Sequence, residues 1–208
     1  MPHRVTICDH PLMRDILARL RDKNTPHEDF RALLADAGII LGLKALEDLK
    51  THASHVRTPL KTAAAQRIRQ PVILAAILRA GVGLLPGLMR LLPRARVGHI
   101  GLYRNEETLN PVRYYVRLPR GLSRSLVLLA DPMVATGGSA AESIRILKTD
   151  GAKQITLVSL LATKTGIRRV LRDHPDVRIV TAAVDPVLNE NGYIVPGLGD
   201  AGDRLFGT

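Results

Sequence analysis

The spacing of apolar residues changes several times along the chain, and these changes predict strands that alternate with helices. Unbroken apolar runs indicate buried strands, whereas apolar residues three and four positions apart indicate amphipathic helices. The predicted strands lie at residues 5–8, 71–78, 97–103, 126–130, 155–162 and 177–184. The predicted helices lie at residues 12–20, from 27 towards 49, at 84–92, at 139–150 and through 167–171. This alternation predicts a parallel α/β sheet with right-handed crossovers.

Two predicted helices precede the sheet and form an N-terminal arm over residues 1–50. The second begins with Thr25-Pro26-His27-Glu28, in which the threonine is the expected N-cap and the proline the first helical residue. Such an arm packs either on a second subunit or on its own domain, and the pattern favours neither. Residues 51–70 are polar and basic, and we predict a connection there with one short strand.

A carboxylate ends the apolar run at 126–130 and introduces a loop rich in glycine and hydroxyl groups. In a parallel sheet the strand ends face a crevice where ligands bind, so Asp131 is expected at its mouth. The loop Thr136–Ser139 leads into a helix whose first N–H groups attract phosphate. Asp131 can only accept hydrogen bonds, which suits sugar hydroxyls. The pattern therefore predicts a cradle for ribose 5-phosphate, and an ordinary strand-to-helix turn is the alternative.

Arg79 follows the uncharged strand at 71–78 and stands beside two glycines, Gly81 and Gly83. A guanidinium at a strand end can bind phosphate or pyrophosphate oxygens bidentately. The alternative is an ordinary surface arginine. A dinucleotide-binding fingerprint is excluded, because Pro86 occupies the position of its third glycine.

Two further segments are predicted to border the crevice. Residues 104–116 resemble a long polar hairpin, which acts either as a lid or as an exposed hairpin with Arg104 paired to a neighbouring glutamate. The tail at 185–208 contains glycines at 197, 199 and 202, but too few residues follow for a dinucleotide-binding unit. A glycine-rich loop instead exposes backbone donors and acceptors, which suits recognition of a flat heterocycle.

Composition narrows the class of protein. The length of 208 residues, with 46% hydrophobic and 24% charged residues, is typical of one soluble globular domain. The single cysteine, Cys8, allows no internal disulfide, and a reducing cytoplasm is expected. We expect no signal peptide and no membrane span. The scattered histidines form no metal-binding pair, and motifs of serine hydrolases and nucleoside triphosphatases are absent from the sequence.

Thirty basic residues against nineteen acidic ones give a net charge of +11. This balance predicts an anionic partner, either nucleic acid or a phosphorylated small molecule. The absence of tryptophan and an aromatic content of 3% weigh against single-stranded nucleic acid, which stacks on aromatic side chains. A solvated basic surface remains the structural alternative.

Several dispersed motifs together resemble the uracil phosphoribosyltransferase family, in order and over essentially the full length. They are His10-Pro11-Leu12, Ile77-Leu78-Arg79-Ala80-Gly81, Tyr103-Arg104-Asn105-Glu106-Glu107-Thr108, Asp131-Pro132-Met133-Val134-Ala135-Thr136-Gly137-Gly138-Ser139 and the tail from Leu188 to Thr208.

The resemblance implies an α/β fold of the type I phosphoribosyltransferase kind. This is an open, mainly parallel sheet flanked by helices, with an N-terminal helical arm, a β-hairpin hood and a C-terminal base-binding loop. The chain would form a single domain, with the arm at 1–50, the α/β core at 71–184 and the tail at 185–208.

The same resemblance implies transfer of a phosphoribosyl group from 5-phosphoribosyl 1-diphosphate to N1 of uracil, giving UMP and pyrophosphate. Residues 131–139 would bind the ribose and its 5-phosphate, and Arg79 and Arg104 would bind the diphosphate. The implied catalytic residues are Arg79, Arg104, Asp131 and Asp200. The implied uracil-binding residues are Tyr193, Ile194, Gly199, Asp200 and Ala201, and Asp200 would also reach the phosphoribosyl substrate.

The same family resemblance implies a cofactor and binding partners. Mg²⁺ would be held by the substrate diphosphate and water, with no direct protein ligand. Family members are oligomeric and some respond to GTP, so a homodimer or homotetramer and a GTP effector are implied. We expect no membrane partner and no nucleic acid.

Two other functions remain open at this point. One is a regulator that senses phosphoribosyl diphosphate and binds RNA through its excess positive charge. The other is a phosphoribosyltransferase for a different nucleobase. The uracil-type tail favours the enzyme, because a sensor would not need a base-binding loop.

Supporting positions depart from the usual family pattern, whereas the motif residues are kept. The departures are Leu43-Lys44 in the second helix, Ala76 for a usual proline, Pro86 for a usual acidic residue, and Thr163-Lys164-Thr165-Gly166 for the usual Ala-Pro-Glu-Gly. We expect these departures to affect the level of activity, its regulation and the contacts between subunits more than the class of substrate.

Overall fold

The computed structural model describes residues 4–104 and 111–208, without the side chains of Arg104 and Pro111. The strands are β1 (Val5–Ile7), β2 (Thr51–Arg57), β3 (Thr62–Ile68), β4 (Val72–Leu78), β5 (Arg96–Arg104), β6 (Pro111–Arg117), β7 (Leu126–Ala130), β8 (Met133–Val134), β9 (Gln154–Thr163), β10 (Arg178–Asp185), β11 (Val187–Leu188) and β12 (Ile194–Val195). The helices are α1 (Pro11–Arg21), α2 (His27–Ala45), α3 (Leu85–Leu91), α4 (Gly138–Thr149), α5 (Lys164–Asp173) and α6 (Ala201–Phe206), and short 3₁₀ segments cover Ala80–Leu84 and Leu122–Arg124.

The main sheet has the strand order β1-β10-β9-β7-β4-β5-β6. Neighbouring strands run parallel, except that the edge strand β6 pairs antiparallel with β5. The short strand β8 adds to β9 beyond the end of β7. This architecture confirms the predicted open, mainly parallel α/β sheet.

The sheet is buried on both faces, which explains why its central strands are mainly apolar. Alternate residues of a strand point to opposite faces. In β4, Leu74 packs on the side of α2, and Ile73 packs on the side of α4 and α5. Helices α1, α2, α3 and α6 cover the first face, and α4 and α5 cover the second.

Helices α1 and α2 pack on the sheet of their own chain, and Phe30 and Leu34 of α2 are fully buried there.

The predicted N-cap of α2 is wrong, because the helix begins at His27 and Pro26 in the cap position makes no side-chain bond. Thr25 instead donates its hydroxyl to the Arg19 carbonyl, 2.6 Å away, and so satisfies the end of α1. Helix α2 also ends at Ala45, short of the predicted extension towards residue 49.

Residues 51–68 form a two-stranded antiparallel hairpin, β2–β3, where we predicted a connection with one short strand. Its seven register pairs run from Thr51 opposite Ile68 to Arg57 opposite Thr62. Most of its side chains are exposed, and small and polar residues occupy both faces. Without a buried apolar face the alternation that marks a strand is weak, which is why the pattern understated it.

None of the helices in the described ranges combines the length and apolar character that a transmembrane span requires.

Candidate functional site

A cavity of about 210 Å³ opens at the carboxyl ends of β4 and β7. These strands are neighbours, with Ala76 opposite Ala130, so the residues that follow them emerge at the same edge of the sheet. The first turn of α4 and the start of α6 complete the walls. The cavity is lined by Ile77, Leu78, Arg79, Ala80, Leu102, Asp131, Met133, Ser139, Asp200 and Gly202.

Asp131 is the buried carboxylate of this cavity. Its residue is 9% exposed, and its only described side-chain bond is a long one, 3.4 Å, accepted from the Met133 N–H. Burial raises the pKa of Asp131 to about 7, although the hydrogen bond from the Met133 N–H acts in the opposite direction. A carboxylate with free acceptor positions at a cavity wall is suited to hydroxyl groups of a ligand.

The loop after Asp131 is anchored by its neighbours before it enters α4. Met133 and Val134 pair with β9, and the Thr163 hydroxyl donates to the Ala135 carbonyl at 2.6 Å. Helix α4 begins at Gly138 and has no side-chain cap, so its first N–H groups remain available to an anion.

Gly137 precedes α4 with φ 77°, a left-handed conformation. A Cβ at this position would lie 2.5 Å from the Gly166 carbonyl oxygen. The loop therefore requires glycine both for its backbone angle and for the close approach of α5.

Arg79 reaches across the cavity mouth to the C-terminal helix. Its Nη2 donates to Asp203 Oδ1 at 2.7 Å, and its guanidinium lies 5.9 Å from the centre of the Phe206 ring. About half of the side chain is exposed. The peptide bond between Leu78 and Arg79 is cis. Hydrogen bonds from Arg79 and Thr208 hold the pKa of the Asp203 carboxyl below its usual value.

The tail folds back on the same edge of the sheet. Strands β11 and β12 form a small hairpin, and α6 follows with Asp200 as its N-cap, accepting from the Asp203 N–H at 2.9 Å. Ile194 and Ala201 are buried in the core, and Tyr193 is half exposed. Asp200 thus brings a second carboxylate to the cavity that Asp131 lines.

Comparison with known proteins identifies the family of this chain. The model of the family described as uracil phosphoribosyltransferase matches residues 7–208. The chain belongs to the uracil phosphoribosyltransferase family. The uracil phosphoribosyltransferase of Thermus thermophilus is 47% identical over 206 residues, covering 99% of both chains.

Solved structures share the fold of this chain. The AQ2163 protein from Aquifex aeolicus superposes with a TM-score of 0.93 at 35% identity, covering 97% of each chain. A hypoxanthine phosphoribosyltransferase from Trypanosoma cruzi has a TM-score of 0.51 at 15% identity, covering 76% of this chain and 75% of its own, which shows the fold alone. The enzyme transfers a phosphoribosyl group to uracil and forms UMP.

The structure brings only some of the predicted site residues of the enzyme to one cavity. Of the described residues, Arg79, Asp131, Met133, Ser139 and Asp200 line it. The other predicted residues lie in the flanking loops or in the elements β8, α4, β12 and α6 without lining the cavity: Pro132, Val134, Ala135, Thr136, Gly137, Gly138, Tyr193, Ile194, Gly199 and Ala201. The side chain of Arg104 and the predicted hood residues 105–110 lie outside the described part.

Several residues around the site were missed at the level of sequence. Gly202 and Leu102 line the cavity, and Asp203 binds Arg79. Asp185 is the last residue of β10 and binds the tail loop together with Arg21. Asp185 gave the same signal as Asp131, a carboxylate that ends an apolar run, and that signal could have identified it.

The positions that depart from the family pattern fit the fold locally. Thr163 caps α5, since its hydroxyl also accepts from the Gly166 N–H at 2.9 Å. Pro86 lies in the first turn of α3, where proline is favoured. Ala76 is fully buried within β4, and Lys44 binds Glu47 at 2.6 Å.

Proposed function

We propose that phosphoribosyl transfer takes place in the cavity between β4, β7 and α6. The observation that carries this proposal is the convergence of Arg79, Asp131, Asp200 and the first turn of α4 on one cavity. A cation, two carboxylates and a helix N-terminus match a substrate that carries a diphosphate, a ribose and a 5-phosphate.

Asp131 is proposed to accept hydrogen bonds from the ribose hydroxyls, and the loop Thr136–Ser139 to bind the 5-phosphate. The anchoring of Ala135 by Thr163 supports the loop role, because a preorganised loop loses little entropy when the phosphate arrives. Breaking the anomeric C–O bond places positive charge on the ribose ring, and the Asp131 carboxylate beside the ring would stabilise it.

Arg79 and Arg104 are proposed to bind the diphosphate, which gains negative charge as it departs. No covalent nucleophile is needed, because cationic groups that bind the leaving group more tightly in the transition state lower the barrier directly. Arg79 is bound to Asp203 in the free enzyme. The diphosphate would therefore either bind Arg79 alongside Asp203 or displace the Asp203 carboxylate from it.

The uracil site is proposed at Tyr193, Ile194, Gly199, Asp200 and Ala201, mainly through backbone groups. The N3–H and carbonyl groups of uracil require a fixed pattern of donors and acceptors, which backbone C=O and N–H groups supply. Cytosine presents a different pattern and would leave buried polar groups without partners, so a loop of this kind rejects it.

Mg²⁺ is proposed as the cofactor, held mainly by the diphosphate and water. The cavity fits this arrangement, because Mg²⁺ usually keeps several waters, and the Asp131 and Asp200 carboxylates at the cavity can accept hydrogen bonds from those waters. When bound, the ion would neutralise charge on the diphosphate. In the described part of the chain, no three His, Cys, Asp or Glu side chains cluster as a complete metal site.

We also propose a homodimer or homotetramer, a GTP effector and a cytoplasmic location. The hairpin β2–β3 supports the oligomer, because an isolated two-stranded hairpin is marginal in water and this one exposes Leu60 and Ile68. The GTP effector rests on the family resemblance alone. The buried free thiol of Cys8 is compatible with a reducing compartment.

Hydrogen exchange tests where the substrates bind. We expect UMP and pyrophosphate together to slow amide exchange at residues 131–139 and 194–201, because the proposed contacts use the N–H groups of those loops. The hairpin at residues 51–68 is the internal reference and should exchange at an unchanged rate. Protection confined to segments outside the two loops would contradict the proposed site.

A further inference from the structure

One ion pair connects the end of α1 to the end of β10 beneath the tail loop. Arg21 Nη1 donates to Asp185 Oδ2 at 2.8 Å, and Nη2 donates to Oδ1 at 2.6 Å. The Asp185 side chain is 6% exposed and the Arg21 side chain 24%. A bidentate pair with this burial has a fixed geometry, unlike an exposed ion pair.

The same pair holds both backbone polar groups of Gly197. The Gly197 N–H donates to Asp185 Oδ2 at 2.9 Å, and the Gly197 carbonyl accepts from Arg21 Nη1 at 2.8 Å. Gly197 has φ 54°, and a Cβ there would lie 2.0 Å from the Ile194 carbonyl oxygen. The loop is therefore held in a conformation that other residues disfavour.

Arg204 adds a second connection between α1 and the same loop. It donates to the Leu198 carbonyl at 3.0 Å and to the Asp22 carbonyl at 2.6 Å, and also to the Leu20 carbonyl. Its guanidinium lies 4.4 Å from the centre of the Phe30 ring. The end of α1 offers carbonyl groups without helical partners, and a cation there is favoured.

Asp185 remains ionised in this setting. Burial raises the pKa of Asp185, but the hydrogen bonds from Arg21 and the Gly197 N–H outweigh burial, so the pKa lies below its usual value. Loss of either partner would leave the other charge buried without compensation, and Gly197 would lose one of its two anchors.

We infer that Arg21 and Asp185 are positioning residues. They fix the backbone conformation of the tail loop at residues 197–200, which carries part of the proposed uracil site, and thereby determine which base is accepted. The inference rests on the proposed uracil site, whose Gly199 lies two residues beyond Gly197. A base recognised through backbone groups depends on what holds the backbone, and a displacement of about 1 Å in a site can cost roughly a hundredfold.

The inference predicts different effects on the binding of the two substrates. Asp131 and Arg79, proposed for the phosphoribosyl group, follow β7 and β4 and have no described contact with Arg21 or Asp185. Asp200, which is assigned to both substrates, is held separately as the N-cap of α6 by the Asp203 N–H. Loosening the pair should therefore affect uracil more than 5-phosphoribosyl 1-diphosphate, whereas general destabilisation of the fold would affect both.

The test uses Arg21→Gln and Asp185→Asn, which remove one charge each; Asp185→Asn also keeps the shape of the side chain. We expect the KM for uracil to rise about tenfold or more and the KM for 5-phosphoribosyl 1-diphosphate to stay within about twofold. The preference for uracil over cytosine should fall, and amide exchange at residues 197–200 should accelerate. Arg21→Lys keeps the charge without the bidentate geometry and should give an intermediate KM.

Arg14→Gln is the matched control, because Arg14 lies on the same helix in an exposed pair with Asp9 and should change none of these values. If Asp185→Asn fails to fold, the Arg21 variants give the same comparison. Equal shifts in both KM values, or a lower Tm with an unchanged KM for uracil, would overturn the positioning role. If the unmodified enzyme does not use uracil, the proposed uracil site fails, and the positioning role falls with it.

Discussion

The Asp131→Asn variant is expected to lose about a hundredfold or more in turnover and yet to be more stable than the unmodified enzyme at pH 8. Asparagine lacks the charge that would stabilise the ribose transition state. It also removes a buried carboxyl whose pKa is raised to about 7 from its usual 3.8. Keeping that carboxyl ionised in the folded state costs roughly 4 kcal/mol at most.

The sign of the stability effect depends on pH. A raised pKa means that the protonated Asp131 contributes stability fully below about pH 4, and that this contribution is lost as the pH rises through about 7. The advantage of asparagine should therefore be largest above pH 7 and small at pH 4. Thermal unfolding of both proteins at pH 4, 6 and 8, with initial rates at pH 8, measures both effects.

Asp176→Asn is the control for this variant, because Asp176 is exposed and its pKa is lowered by Lys148. It should keep full turnover and gain no stability at pH 8. Normal turnover of Asp131→Asn, or a lower Tm at pH 8, would show that Asp131 does not have the assigned role.

The Arg79→Gln variant is expected to lose roughly 100- to 1,000-fold in kcat/KM for 5-phosphoribosyl 1-diphosphate. Arg79 stands at the cavity, where it would stabilise charge that develops on the departing diphosphate. Arg79→Lys should recover only part of the loss, because an ammonium cannot bind two oxygens in the planar geometry of a guanidinium. The KM for uracil should change little.

Initial rates of pyrophosphate release at saturating uracil and Mg²⁺ check this prediction. Arg90→Gln is the matched control, since Arg90 lies exposed on α3 beyond the cavity, and it should behave as the unmodified enzyme. An Arg79→Gln variant within a few fold of the unmodified kcat/KM would exclude a leaving-group role for Arg79.

The features that sequence predicted best are local ones. The buried strands β4, β7, β9 and β10 are mainly apolar, and the polar residue at or just after the end of each one lines the cavity or anchors a loop beside it. Asp131 after β7 and Arg79 after β4 were identified in this way. Thr163 at the end of β9 and Asp185 at the end of β10 obey the same rule, since they bind Ala135 and Gly197.

The features that sequence did not predict depend on distant partners. Arg21 and Asp185 are 164 positions apart, and nothing local to Arg21 distinguishes it from other arginines of α1. Thr25 has the appearance of an N-cap, but its hydroxyl binds the Arg19 carbonyl instead. The hairpin β2–β3 lacks a buried face, so its strands do not show the alternation of apolar and polar residues from which a strand is predicted.

The central claim, that the enzyme transfers a phosphoribosyl group to uracil, is tested most directly by its choice of base. The purified enzyme is incubated with 5-phosphoribosyl 1-diphosphate, Mg²⁺ and uracil, cytosine, adenine, hypoxanthine or orotate in turn, and nucleotide and pyrophosphate are measured. We predict UMP and pyrophosphate in equal amounts from uracil, with kcat/KM about 10⁴-fold or more above that for cytosine. Absence of turnover with uracil, under conditions where the enzyme binds 5-phosphoribosyl 1-diphosphate, would contradict the account.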